Sequence, residues 1–237
     1  MSERQHGFSL IEVAVVLFIV ILLIGSLLVP LGTQVEQRQL RETEKTLSDI
    51  NDALLGFAVA NGHLPCPDNN NDGLEDINAA NDRCSAIATS ISAGNLPWQT
   101  LGLGNSDVWG NRFRYVVREE YARRPPLSTT FTLSTTANVR VCTIAACSPA
   151  SNVLTSTAVA AVISHGKNGL GAVNSLSGAN NPAPTSLDEQ QNTNNDRDIV
   201  SRTISAASTN TIEFDDIVVW LPQYTLFNRM VTAGRLP

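Results

Sequence analysis

Three groups of side chains in this chain have the types and spacing to do chemistry. They are one acid, Glu12, inside an apolar run; an alternating set of oxygen donors around Gly73; and four cysteines. For Glu12 the chemistry is ion pairing. A carboxylate at the depth of a bilayer costs about 3 kcal/mol or more, so it persists where a cation meets it. The competing reading is an interfacial acid whose head reaches the polar headgroups.

The oxygen donors lie in Asp68-Asn69-Asn70-Asn71-Asp72-Gly73-Leu74-Glu75-Asp76. Their spacing is that of a calcium loop: alternate side chains coordinate, a glycine makes the sharp turn, and a carbonyl follows. Asp68, Asn70 and Asp72 would bind directly, Leu74 through its carbonyl, and Asp76 directly or through water. Against this, the twelfth position is Ala79, not a bidentate Glu, and Pro65 and Pro67 stand where a preceding helix belongs. A solvated turn built on Asx side chains fits the same letters. No cofactor is required by the sequence, and structural calcium is the one it suggests.

The cysteines are Cys66, Cys84, Cys142 and Cys147, an even number, all beyond the apolar run. Four cysteines allow three pairings. The sequence-local set, Cys66 with Cys84 and Cys142 with Cys147, is favoured in an oxidising compartment. Closing a loop of about 15 residues stabilises by about 3 kcal/mol in the chain-entropy picture. Zinc needs Cys-x-x-Cys spacing or nearby histidine, and neither is present.

Catalytic patterns are missing. The chain has no Gly-x-Ser-x-Gly, no His-Glu-x-x-His and no phosphate-binding glycine loop. Ser164 beside His165 is adjacency, not a triad, and Asp215-Asp216 reads as an acidic strand edge. Trp98, Trp109 and Trp220 read as packing residues. A net charge of −6 gives no broad basic field for nucleic acid. The chain reads as a non-enzyme with no specific nucleic-acid partner.

These groups need elements to position them. From Phe8 to about Leu31 the sequence is almost wholly apolar. A spanning helix needs roughly 20 such residues, and a core helix is seldom apolar all round at that length. The run is too long for a secretory signal, and no small-residue cleavage site follows it. Gly25, Ser26, Pro30 and Gly32 predict a bend or local melting near its end. Then Leu40, Leu47, Ile50, Leu54, Phe57 and Ala58 recur at helical spacing as far as Asn61-Gly62, an amphipathic helix whose stripe docks on a sheet. Residues 63–107 read as loop. Strands are predicted over 112–118, 129–134, 139–143, 158–164 and 213–221. A long mobile loop is predicted over 172–196, and a terminal helix over 223–234.

The string Gly7-Phe8-Ser9-Leu10-Ile11-Glu12, placed directly before the apolar helix, resembles the processing site of type IV prepilins and of type II secretion pseudopilins. The resemblance implies cleavage between Gly7 and Phe8 by a membrane prepilin peptidase, which also methylates the new N-terminus. It implies that Phe8 and Glu12 direct assembly. The freed amine at Phe8 is cationic below a pKa of about 8. In a staggered stack, Glu12 of one subunit meets the Phe8 amine of its neighbour. Two further stretches resemble major pseudopilins: Asp107-Val108-Trp109-Gly110-Asn111-Arg112-Phe113-Arg114-Tyr115, which lacks both family prolines, and Ser164-His165-Gly166-Lys167-Asn168-Gly169 with Asp198-Ile199 downstream. In the family the second loop often holds calcium, but here Asn168 stands where Asp is usual.

The expected organisation is a leader at 1–7, a membrane and filament-core helix at 8–31, its amphipathic half at 32–62, and a globular domain at 63–237. The fold class is α+β and pilin-like: one long helix packed on an antiparallel β-sheet. The resemblance implies a minor or divergent subunit of a type IV pilus or secretion pseudopilus. Its partners would be the peptidase-methyltransferase, other pilin subunits and the inner-membrane assembly platform. The alternative is a membrane-anchored or filament-tip module that recognises a surface, DNA or an exported protein. Counting Lys and Arg alone puts the large domain in the cytoplasm, with Arg4 before the helix and Arg38, Arg41 and Lys45 after it. The processing motif and the cysteines argue instead for a single-pass bacterial inner-membrane protein with a periplasmic domain.

Overall fold

The structure, a computed structural model, describes residues 9–88, 90–208 and 212–236, with the backbone alone at 24–31. The chain divides into two compact units at Glu42 and Thr43. Helix α1 runs from Leu10 to Asn61, 52 residues. The predicted local melting is absent: the helix continues through Pro30. Every described side chain from Leu10 to Leu23 is exposed. Among the described residues no helix is long and apolar enough to cross a membrane. Of the expected 8–31 span, Phe8 and the side chains of 24–31 lie outside the described residues.

From Thr43 onward α1 shows the expected stripe. Leu47, Ile50, Leu54 and Ala58 are buried three or four residues apart, with Leu55 buried beside them. The helix stops where the sequence says: Gly62 adopts φ +84° and its N–H returns to the Ala58 carbonyl at 2.7 Å, the left-handed cap that glycine accepts without strain. No basic residue lies in the helix's own last turn. Arg235 supplies one from the other end of the chain, donating to the carbonyls of Val59 and Ala60.

The remaining elements are β1 (Ile77–Asn78), β2 (Arg83–Cys84), β3 (Ile91–Asn95), α2 (Trp98–Leu101), β4 (Arg114–Arg118), β5 (Val139–Cys142), β6 (Val153–Ser164), α3 (Leu187–Thr193), β7 (Asp198–Val200), β8 (Ile217–Pro222) and α4 (Gln223–Thr232). Strand β6 is the hub. Its second half pairs with both β4 and β8, on opposite edges, and its first half pairs with β5. Strand β3 extends the sheet beyond β4, and β7 beyond β5.

The expected antiparallel sheet is corrected here: the sheet is mixed, because β5 and β7 run parallel. Parallel neighbours need a long crossover. The chain supplies one between Cys142 and Asp198: out along β6, through the 165–197 excursion, and back. That excursion is also more ordered than predicted. It contains α3 and two bridges, Asn111 to Asn174 and Val173 to Asn180. The predicted strand at 129–134 is a turn, in which Thr135 donates its backbone N–H to the Thr132 carbonyl.

Both faces of the sheet are covered, with the alternation a pleated strand requires. Tyr115 and Val117 pack with α1 and with Leu226, Phe227 and Met230 of α4. Val116 between them packs on the other face with Ile91, Val139, Ile163 and Ile199. Strand β6 breaks alternation once, where Val159 and Ala160 share a face. The pairing of β6 with β8 carries a register shift at that point, and a bulge changes the phase of the side chains that follow.

Candidate functional site

The stretches 107–115 and 164–169 meet in space. Asp107 is nearly buried. Its Oδ1 accepts the backbone N–H groups of Trp109 and Asn111 at 3.0 and 2.9 Å, and its Oδ2 accepts the Ser164 hydroxyl at 2.7 Å. One carboxylate thus shapes the turn before β4 and fastens it to the end of β6. Burial, the strongest influence, raises the Asp107 carboxyl above its usual range against these donors. The loop after β6 is forced to be glycine at Gly166, with φ +57°. A side chain there would overlap the carbonyl and carboxylate of Asp215.

Around that loop sits an acidic cluster. Oxygens of Glu189, Asp215 and Asp216 lie within 4.8 Å of one another. Glu189 is 1% exposed, Asp215 8% and Asp216 3%. The Asn168 N–H donates to Asp215 at 2.7 Å, and the Asp215 N–H to Glu189 at 3.2 Å. The Asn192 amide donates to Asp216 at 2.8 Å, and His165 Nδ1 lies 3.3 Å from its other oxygen. Asp215 Oδ1 is buried with no partner. Burial first, then the Asp216 charge, raise Glu189 to about 7. Burial, working against the Asn168 N–H, raises Asp215 to about 6. An all-oxygen set with an orphaned carboxylate oxygen suits a hard cation such as calcium. Reading Asp215-Asp216 as an acidic strand edge is therefore corrected: the pair precedes β8 and points inward.

The Asp68 loop is differently occupied. Asp68 is fully buried. Its carboxylate accepts the backbone N–H groups of Asn70, Asn71 and Gly73 at 3.1, 2.7 and 2.8 Å, and Arg112 Nη1 lies 3.6 Å away. Asp76 accepts the Asn69 N–H, and Asp72 accepts the Leu74 N–H. The Asn70 amide bridges Asp72 and Asp76 at 3.1 and 3.2 Å. The geometry is that of a hydrogen-bonded Asx turn, fastened to β3 by two backbone bonds between Asp68 and Asn95. Among the described residues its carboxylates do not gather as those of the Glu189 cluster do.

The cysteines pair as Cys66–Cys84 and Cys142–Cys147, each with Cα atoms 5.3 Å apart, a normal disulfide span. The first ties the end of α1 to β2. Strand β2 is also held by Glu119, which follows β4, is buried and accepts both Arg83 and Arg123.

At the other end of the chain, Gly7 and Phe8 lie outside the described residues. Glu12 is within them. Its Oε2 accepts the Ser9 N–H at 2.8 Å, and the Ser9 hydroxyl accepts the Glu12 N–H at 3.3 Å. That reciprocal pair is a capping box, Ser-x-x-Glu, opening α1. A model of the prokaryotic N-terminal methylation motif matches residues 3–28. The chain carries a prepilin-type methylation motif. Neither curated proteins nor solved structures give a match.

The Ser164–His165 neighbours do not form a nucleophile and base. The Ser164 hydroxyl donates to Asp107, while His165 turns to Asp216. Sequence reasoning missed Glu189 altogether, because α3 (LDEQQNT) buries Glu189 and Asn192 and so shows no apolar period. It also passed over the capping box, though its signal, Ser9 three residues before Glu12, was in plain view.

Proposed function

We propose that this chain is a structural subunit, a minor or divergent pilin or pseudopilin, that assembles through its N-terminal helix into a type IV pilus or a type II secretion pseudopilus. A prepilin peptidase removes residues 1–7 and methylates Phe8. The helix from Phe8 to about Leu31 holds the subunit in the inner membrane, with residues 63–237 in the periplasm, until the assembly platform passes it into a filament of other pilin subunits. The observation that carries this is the motif at 3–28 continuing into a helix whose described apolar side chains, Leu10 to Leu23, are all exposed. In water such a surface is unfavourable at about 25 cal/mol per Å². Lipid covers it before assembly, and neighbouring helices cover it after.

Glu12 has two oxygens. Oε2 caps α1 through Ser9, and the carboxylate as a whole retains its charge for the Phe8 amine of the next subunit. Pairing the two removes lone charges that lipid disfavours.

A structural cation of the calcium class belongs with this reading. The Glu189 cluster supports it better than the Asp68 loop, because its oxygens converge and one lacks a partner. This reading calls for no catalysis.

Two measurements on protein from a native-type host test the proposal. Intact mass should place the N-terminus at methylated Phe8. Glu12→Val should leave processing complete and abolish incorporation into sheared filaments. A chain that still begins at Met1, or a variant incorporated as well as the parent, overturns it.

A further inference from the structure

A polar cleft of about 490 Å³ opens between the Asp68 loop and the 171–195 excursion, over the start of β4. The methylation motif does not reach it, and it shares only His165 with the surroundings of the acidic cluster. Arg112, Arg114 and His165 line it. Three buried nitrogens on these residues have no partner: Arg112 Nε, Arg114 Nε and His165 Nε2. Arg112 is 8% exposed and His165 1%.

The charges do not cancel. Arg112 faces Asp68 at 3.6 Å, whose oxygens also accept three backbone N–H groups. His165 is turned to Asp216 on its other nitrogen. Arg114 has only neutral acceptors, the Asn194 carbonyl at 2.5 Å and the Asn195 side-chain oxygen at 2.6 Å. Among the described residues no carboxylate comes within ion-pair distance of it. Burial lowers its pKa to about 10, which leaves it cationic at neutral pH. A half-buried guanidinium without a counter-ion favours an anion, and its planar fork matches a carboxylate in particular.

The rest of the lining says what else the anion carries. Asn69, Asn71, Asn95, Asn180, Asn181 and Asn195 line it with side-chain amides. Asn69, Asn95 and Asn181 already donate within the fold, and the Asn71 and Asn195 oxygens already accept, which leaves the other end of each of these amides, and Asn180, to meet hydroxyls. Among the described residues no Phe, Tyr or Trp lines the cleft, and its apolar lining is small, Ala172, Val173, Ala183 and Pro184, so polar groups dominate what a ligand meets there. We propose that this cleft binds an acidic sugar, a uronate, with its carboxylate on Arg114 and Arg112 and its hydroxyls on the asparagine amides. The volume lies within the range of small-ligand sites.

The test is calorimetric titration of the full-length chain in detergent micelles with glucuronate and galacturonate. Glucose, acetate and inorganic phosphate are the comparison ligands. Saturable uronate binding is expected, tighter than glucose and tighter than acetate by about tenfold each, because each comparison ligand lacks one half of the recognition. Arg114→Gln should weaken uronate binding about ten- to a hundredfold at unchanged melting temperature. The ranking of ligands on the unsubstituted chain is read independently of whether that variant folds. No saturation at millimolar uronate, glucose binding as well as uronate, phosphate binding more tightly than either uronate, or a folded Arg114→Gln variant that binds normally each overturns the assignment.

Discussion

Leu17 and Leu54 belong to the same helix and live in opposite surroundings. Leu17 is 56% exposed and Leu54 is fully buried. Between Leu10 and Leu23 every described side chain of α1 is exposed, whatever its position around the helix. Between Leu47 and Ala58 only one stripe is apolar, and that stripe is buried in the sheet domain. The two stretches teach that helix composition and helix periodicity carry different messages. An all-round apolar surface has no partner within its own chain and asks for a medium or for copies. A stripe names a partner inside the fold.

The largest separation between the two stretches should come from truncating each. Leu54→Ala removes a fully enclosed side chain and leaves a cavity, so the domain should lose about 2–5 kcal/mol. Leu17→Ala removes atoms from a side chain that is 56% exposed and should leave the domain's melting temperature within error, while weakening incorporation into filaments. Thermal unfolding of both variants, followed by near-ultraviolet dichroism, separates them. Equal destabilisation by the two would mean that the domain's stability depends on the N-terminal stretch, and the comparison would fail.

The two stretches were also unequally legible. The methylation motif, the apolar run and the end of α1 at Asn61 depend on local chemistry: a carboxylate among aliphatic residues, a stripe, and a glycine free to turn left-handed. The disulfide pattern followed from short loops and turn residues. What could not be read depends on polar burial. Strand β3, Ile91-Ser92-Ala93-Gly94-Asn95, lacks the β-branched run that marks a strand, yet it pairs with β4 over its whole length. Helix α3 buries Glu189 and Asn192, so the rule that buried means apolar fails there. The Arg112–Arg114 cleft draws on four segments distant in sequence, 68–71, 94–95, 112–114 and 165–195. The parallel β5–β7 pair depends on a crossover whose return point no local pattern announces.

The acidic cluster gives the domain side of the comparison a sensitivity that the apolar stretch lacks. Glu189 and Asp215 hold their protons to about 7 and about 6, above the values of 4.5 and 3.8 they would have in an unfolded chain. Between these limits the native state binds more protons than the unfolded one, so stability falls as pH rises. In chelator the domain should therefore be more stable near pH 5 than near pH 8, by on the order of a few kcal/mol. Calcium favours the ionised cluster and should recover the loss at pH 8, raising the melting temperature by about 5 °C or more. Asp215→Asn should remove that rise and Asp72→Asn should keep it, which separates the cluster from the Asp68 loop. A melting temperature flat from pH 5 to 8 in chelator and unmoved by calcium would dismiss the cation site.

The smallest effect tests whether Glu12 has two separable duties. Ser9 and Glu12 exchange hydrogen bonds at the start of α1, and loss of such a cap costs a helix about 1 kcal/mol. Ser9→Ala removes the hydroxyl that accepts the Glu12 N–H but keeps the Ser9 backbone N–H and the Glu12 charge. If charge pairing with the neighbouring amine dominates assembly, Ser9→Ala subunits should still enter filaments, at a level reduced only severalfold, while Glu12→Val subunits do not enter at all. The reason is scale: a cap is one neutral hydrogen bond worth about 1 kcal/mol, whereas an unpaired carboxylate in hydrocarbon costs about 3 kcal/mol or more. Quantifying the two variants against parent subunits in sheared filaments measures the ratio. Equal exclusion of both would show that Glu12 acts chiefly by shaping the first turn of the helix, and the charge account of the apolar stretch would give way to a structural one.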